Sequence, residues 1–256
     1  MMGFNARGAW SIYQRELMRA MRTVFQSIIS PVITTSLYFV VFGSVIGARM
    51  EPIDGVPYGA FIIPGLLMLT LLGETTSNSS FGIYMPRFTG TIYELLSAPV
   101  GVAETLIGFV GAAATKGLIL AAIILGTATL FVDYEIAHPL AAVGYIILVA
   151  ASFSLFGFIL GVWADSFEKL GIIPLLIVTP LTFLGGTFYS IDDLPEPWNT
   201  VAFANPIAFL VSGLRWTFYG TSDVSIWISL GLTLGFLALC VAIIAIIFRT
   251  GWRLRE

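Results

Sequence analysis

Glu74 and Lys116 are charged residues that fall deep within long apolar runs of this 256-residue sequence. Glu74 sits in a polar string, GETTSNSS over residues 73–80, which also holds Asn78. An ionised side chain is costly in hydrocarbon, so Glu74 is expected to face a protein interior or a wet cavity. Lys116 either pairs with Glu74 or snorkels toward the nearer membrane face, and the sequence leaves both open. Glu74, Asn78 and Lys116 are therefore the candidates for lining a path through a membrane. Hydrolytic chemistry has little support. There is no Gly-Lys dipeptide, hence no phosphate-binding loop, and neither H-E-x-x-H nor G-x-S-x-G occurs. The single histidine, His138, adjoins Pro139 in an expected loop, and the single cysteine, Cys240, lies in an apolar run that suits packing. One of each excludes a disulfide framework or a Cys/His metal cluster within the chain, and no cofactor is expected.

The elements that must position these residues are membrane helices. Hydrophobic residues make up 57% of the chain and charged ones 11%, against roughly 25% charged in soluble domains. One soluble core of this size cannot hide so much apolar surface. The apolar runs match the ~20 residues that cross a hydrocarbon core as a helix. They are too long and too little alternating for barrel strands. Six crossings are expected, near residues 27–47, 59–80, 103–131, 139–163, 170–188 and 225–248, the fifth kinked by Pro174 and Pro180. The whole chain, 1–256, reads as one transmembrane domain. Its first 25 residues lack the pattern of a cleavable leader, so the N-terminus is expected to be retained.

Charge placement gives the orientation. With both termini in the cytoplasm, the inner segments hold Arg7, Arg15, Arg19, Arg22, Arg87, Lys169, Arg249, Arg253 and Arg255, and the outer loops only Arg49 and Arg215. That bias satisfies the positive-inside rule. The outer loops are acidic, with Glu51, Asp54, Asp133, Glu135, Asp192, Asp193, Glu196 and Asp223.

Three parts do not cross. Over residues 7–26, Trp10, Tyr13, Leu17, Met21 and Val24 share one helical face and Arg15, Arg19, Arg22 and Gln26 the other, the pattern of an amphipathic helix lying in the interface. Between the second and third spans, TIYELLSA predicts a short cytoplasmic helix stopped by Pro99 and Gly101, with Glu94 exposed. Between the fifth and sixth, LGGTFYSIDDLPEPWNTVAFANPIAFLVSGLRWTFYG is too broken to cross and too apolar for a free loop. It predicts a re-entrant helical hairpin in the outer leaflet. Three G-x-x-x-G pairs, Gly43/Gly47, Gly157/Gly161 and Gly231/Gly235, suit close helix packing, with dimerisation as the other use.

The order of these parts resembles the ABC-2 type permease family, the membrane subunits of bacterial ABC exporters, over essentially the whole chain. The likeness is carried by RELMRAMRTVFQSIISPVITTSLYFVVFGSVIG, FIIPGLLML, RFTGTIYELLSAPV, LTFLGGTFYSIDDLPEPW and NPIAFLVSGLRW. The resemblance implies an inner-membrane permease without its own ATPase, paired with a second permease chain and two separate ATPase subunits, and binding no nucleic acid. By the same likeness, Arg87 and Glu94 make polar contacts with the ATPase, braced by Arg15, Glu16 and Arg19. Gly185, Gly186, Asn205, Pro206 and Arg215 form an outer gate. The Glu74 patch departs from the family pattern, so no relative's cargo is carried over. Two other classes compete. An integral-membrane enzyme acting on lipid would use Glu74, Asp192 and Asp193, but the expected topology puts these on opposite sides. An ion-coupled transporter predicts internal repeats, and the sequence shows only scattered glycines.

Overall fold

The computed structural model describes residues 4–23 and 25–253. Val24 of the expected apolar stripe and Arg255 of the inner charge set lie outside the described residues. The described chain is built from helices: α1 (Ala6–Met21), α2 (Phe25–Arg49), α3 (Tyr58–Phe88), α4 (Ile92–Ser97), α5 (Val102–Ala128), α6 (Pro139–Trp163), α7 (Phe167–Leu184), α8 (Trp198–Phe203), α9 (Pro206–Tyr219) and α10 (Ile226–Thr250). Six of these, α2, α3, α5, α6, α7 and α10, are long and apolar enough to cross a membrane. The protein is an all-α integral membrane protein.

The second span, α3, is the centre of the bundle and the most buried of the six, packing on α5 and α6. It runs eight residues past the sequence-based end at residue 80, to Phe88. The polar string does not break it, because two of its hydroxyls bond back to carbonyls of the same helix, whereas those of Thr76 and Ser79 are buried without a partner among the described residues. Thr75 Oγ1 donates to the Leu71 carbonyl at 2.6 Å and Ser80 Oγ to that of Ser77 at 3.0 Å. Close backbone approach secures the same stretch. A Cβ on Gly157 would collide with the Thr76 carbonyl, and one on Gly161 with that of Ser80, so this G-x-x-x-G pair is the seam between α6 and α3. Gly231 and Gly235 have no neighbouring atom within 4 Å of such a Cβ, so that pair closes no helix seam among the described residues.

The fifth span, α7, begins at Phe167 rather than 170 and ends at Leu184 rather than 188. Its prolines interrupt the ordinary ladder as expected, and the helix widens to a π turn over Pro174–Val178. Gly185-Gly186 then stops it, with Gly186 at φ +83°. The expected hairpin region becomes two short helices, α8 and α9, the second buried along most of its length against α3, α6, α7 and α10.

The amphipathic helix is corrected in extent and orientation. α1 stops at Met21, and residues 25 and 26 belong to α2. Trp10 is exposed, but Ala9, Ile12, Glu16 and Ala20 are buried. The helix therefore docks on α5 as well as offering a ring to the surroundings, with Ile12 filling the space left by Gly108. Two hydrogen bonds to α5 fix it there, and a third caps α5 itself. Tyr13 Oη donates to Thr115 Oγ1 at 3.0 Å. Glu104, in the first turn of α5, accepts from the Asn5 amide at 2.8 Å and the Gly101 amide at 3.0 Å.

Candidate functional site

Glu74 projects from the middle of α3 into a groove of about 520 Å³ walled by α2, α3 and α7. Its wall is rich in hydroxyls, including Thr34, Thr35, Tyr38, Thr70 and Thr179. Lys116, on α5 behind the groove, is buried and donates from Nζ to Glu74 Oε2 at 3.1 Å. The sequence left pairing and snorkelling open, and the structure chooses pairing. The Glu74 carboxylate, a quarter exposed, thus reaches the groove with its charge balanced from behind. Asn78, the third candidate, stands apart. It is buried, and its carbonyl accepts from Arg19 Nη2 of α1 at 3.2 Å, while Ser77 lines the groove.

At the opposite end from α1, the residues named from the sequence as an outer gate converge. Asn205 caps α9, accepting from the Ile207 amide at 3.0 Å and donating from Nδ2 to the Leu181 carbonyl of α7. Pro206 follows at the first helical position, where its missing N–H costs nothing. Gly185 allows the Ala208 backbone to come close. Arg215, fully buried, donates to the Gly186 carbonyl and to Asp223 Oδ2, the latter at 2.7 Å, and lies 3.9 Å above the Phe61 ring. Asp223 also accepts from Ser190. Tyr219 Oη donates to the Ala60 carbonyl at 2.6 Å, and Tyr58 Oη to that of Phe188 at 3.0 Å. These bonds bind the short-helix unit to the start of α3. Asp223 was read from the sequence only as one of many outer acids. Its position eight residues after an arginine in an apolar segment was the available signal. Asp192 lies here too. Burial and then the carboxylates of Asp223, Asp193 and Asp54 raise it above the ordinary Asp value. Glu74 is paired with Lys116 at mid-span, while Asp192 and Asp193 lie in the segment between α7 and α8.

At the α1 end, Gly90 (φ +78°) turns the chain sharply from α3 into α4. Ile92 of α4 is buried in a cluster with Ile12, Ile83 and Phe109, joining α4 to α1, α3 and α5. Glu94 is exposed on the free face. Arg87, expected from the resemblance to contact an ATPase, is half-buried and bonded inward. It donates to the carbonyls of Gly161 at 2.9 Å, Ala164 at 3.2 Å and Arg253 at 2.9 Å, tying the ends of α3, α6 and α10. Glu16 is likewise buried and pairs with Arg15 at 3.3 Å and Arg19 at 2.7 Å, so it braces from within. Glu104 was not among the residues singled out from the sequence, although a glutamate three residues after Gly101 at a helix start is a readable capping pattern. Two ends and one middle are thus organised: a braced exposed helix, a charge-balanced polar groove and a stitched short-helix unit.

Residues 7–219 match the ABC-2 type transporter family. The chain is 35% identical over 227 residues to the inner membrane transport permease YadH of Escherichia coli (strain K12), covering 89% of each. It is 23% identical over 239 residues to nodulation protein J of Rhizobium leguminosarum bv. viciae, covering 91% of this chain and 88% of that one. It is 24% identical over 223 residues to nodulation protein J of Rhizobium meliloti (strain 1021), covering 86% and 85%.

Proposed function

Since this chain belongs to the ABC-2 type transporter family, we propose that it is the permease subunit of an ATP-driven exporter in a bacterial inner membrane. It supplies the membrane path, and its motor is a pair of separate ATPase subunits. A second permease chain completes the path. The absence of a phosphate-binding loop from the sequence supports a borrowed motor. The arginine bias supports placing α1, α4 and both termini in the cytoplasm.

The observation that carries the reading is the groove at Glu74. A hydroxyl-lined cleft in the middle of membrane helices has no structural use in a protein that only needs to sit in lipid. Its ion pair retains polarity there without a net charge to trap a cargo. At the cytoplasmic end, Glu94 on α4 docks the ATPase, while Arg15, Glu16 and Arg19 stiffen the helix behind it. Arg87 makes the ends of α3, α6 and α10 move together. At the outer end, α8 and α9 re-enter the outer leaflet as a gate, held by Gly185, Gly186, Asn205, Pro206 and Arg215. Closure of the two ATPases pushes α4, tilts α3 and α5, and opens the path outward.

The test is ATP hydrolysis by the complex of this chain with its ATPase in liposomes, measured across a panel of hydrophobic drugs, lipids and lipid-linked glycans. Exchanging the ion pair for neutral residues, Glu74→Gln with Lys116→Met, should change the stimulation given by any active compound. Unchanged stimulation would remove Glu74 from the path.

A further inference from the structure

A second polar cavity, of about 270 Å³, lies between α1 and the last turns of α3. Its floor is Gly82, Met85 and Pro86, and the hydroxyls of Thr89 and Thr91 stand at its rim. Arg15, Arg19 and Arg22 all line it, against the one carboxylate of Glu16. Glu16 is already shared by Arg15 and Arg19. Arg22 is exposed and has no ion-pair partner among the described residues. Three guanidinium groups over one carboxylate leave an excess of positive charge in a concave site, and guanidinium forks fit phosphate oxygens.

The neighbouring surface is apolar and aromatic. Phe81, next to Gly82, is exposed, and the Arg19 guanidinium lies 5.7 Å from its ring centroid. Phe81 contacts Phe167, which packs in turn on Tyr84 and Phe88. Phe88 and Phe167 are also exposed. A basic cavity directly beside exposed rings on a membrane-crossing helix has the layout of a lipid: a phosphate above, hydrocarbon below. An acidic protein surface would answer the charge and leave the rings uncovered.

We propose that this cavity binds the headgroup phosphate of an anionic phospholipid, with its acyl chains lying along Phe81, and that the bound lipid clamps α1 to α3. Basic cavities between membrane helices on the cytoplasmic side take headgroups in this way. The site is separate from the Glu74 groove and needs no ATPase.

The experiment is native mass spectrometry of the full chain, without ATPase, released from nanodiscs containing phosphatidylglycerol and phosphatidylcholine. Wild type should retain phosphatidylglycerol in preference to phosphatidylcholine. Arg15→Gln with Arg22→Gln leaves Arg19 to balance Glu16 and should lower that retention about tenfold or more, as loss of charged hydrogen bonds implies. Thr91→Glu, at an exposed position that places a carboxylate at the rim, should do the same without touching an ion pair. Equal retention of the two lipids, or retention unchanged in both variants, would overturn the proposal. So would displacement of the lipid by excess inorganic phosphate, which would make this a free-anion site. Variants that keep the lipid but no longer hold the ATPase would give the arginines to a protein partner and overturn it as well.

Discussion

Lys116 Nζ lies 3.1 Å from Glu74 Oε2, joining α5 to α3 at mid-span and presenting the carboxylate to a groove between α2, α3 and α7. Each charge makes the other tolerable, so neither position can be altered independently. Removing one partner of such a pair strands the other, at a cost of about 3–5 kcal/mol. Lys116→Met alone should therefore lower the thermal unfolding temperature in detergent markedly. Adding Glu74→Gln should restore most of the loss. If the double variant is no more stable than the single, the two residues are not coupled.

Arg215 makes the corresponding prediction at the outer end. Its fork spans the Gly186 carbonyl and Asp223, a geometry that a lysine ammonium cannot reproduce. Arg215→Lys should cost about 1.5–3 kcal/mol, the worth of a charged hydrogen bond. The damage should concentrate around residues 185–223, read as faster hydrogen exchange there. Uniform exchange rates across the chain would show that the pair does not stitch this unit.

The glycine pairs separate by consequence. Gly161→Ala pushes a methyl into the Ser80 carbonyl and should destabilise the α3–α6 seam by about 1–3 kcal/mol. Gly231→Ala meets open space, and its helix propensity gain of roughly 1 kcal/mol should leave stability equal or slightly higher. Thermal unfolding of the two variants checks both. Equal effects would mean that the pattern, not the packing, had been overread.

The spans were legible because hydropathy is a property of a run of residues, and helices are the structures that satisfy such runs in lipid. The α4 helix was legible from TIYELLSA and its Pro-Gly stop. The end of α3 was not, because GETTSNSS reads as an exit from the membrane until Gly157 and Gly161 are seen packed against its backbone. Arg87 was misplaced for the same reason. In the sequence it is a loop cation, whereas in the fold α3 extends through it and brings it to the carbonyls of Gly161, Ala164 and Arg253 at the ends of α6 and α10. Partner choice between residues far apart, such as Lys116 with Glu74 or Arg215 with Asp223, is a property of packing that a single sequence offers only as alternatives.

In the proposed function, α4 couples the membrane path of this chain to a separate ATPase. Co-purification of the chain with its partner ATPase, comparing wild type with Glu94→Arg, tests this most directly. Glu94 is exposed, so the reversal leaves the fold intact, which the elution profile of the chain alone will report. Wild type should form a stable complex, and the variant should lose the ATPase. Equal recovery of the ATPase with both would contradict this role of α4.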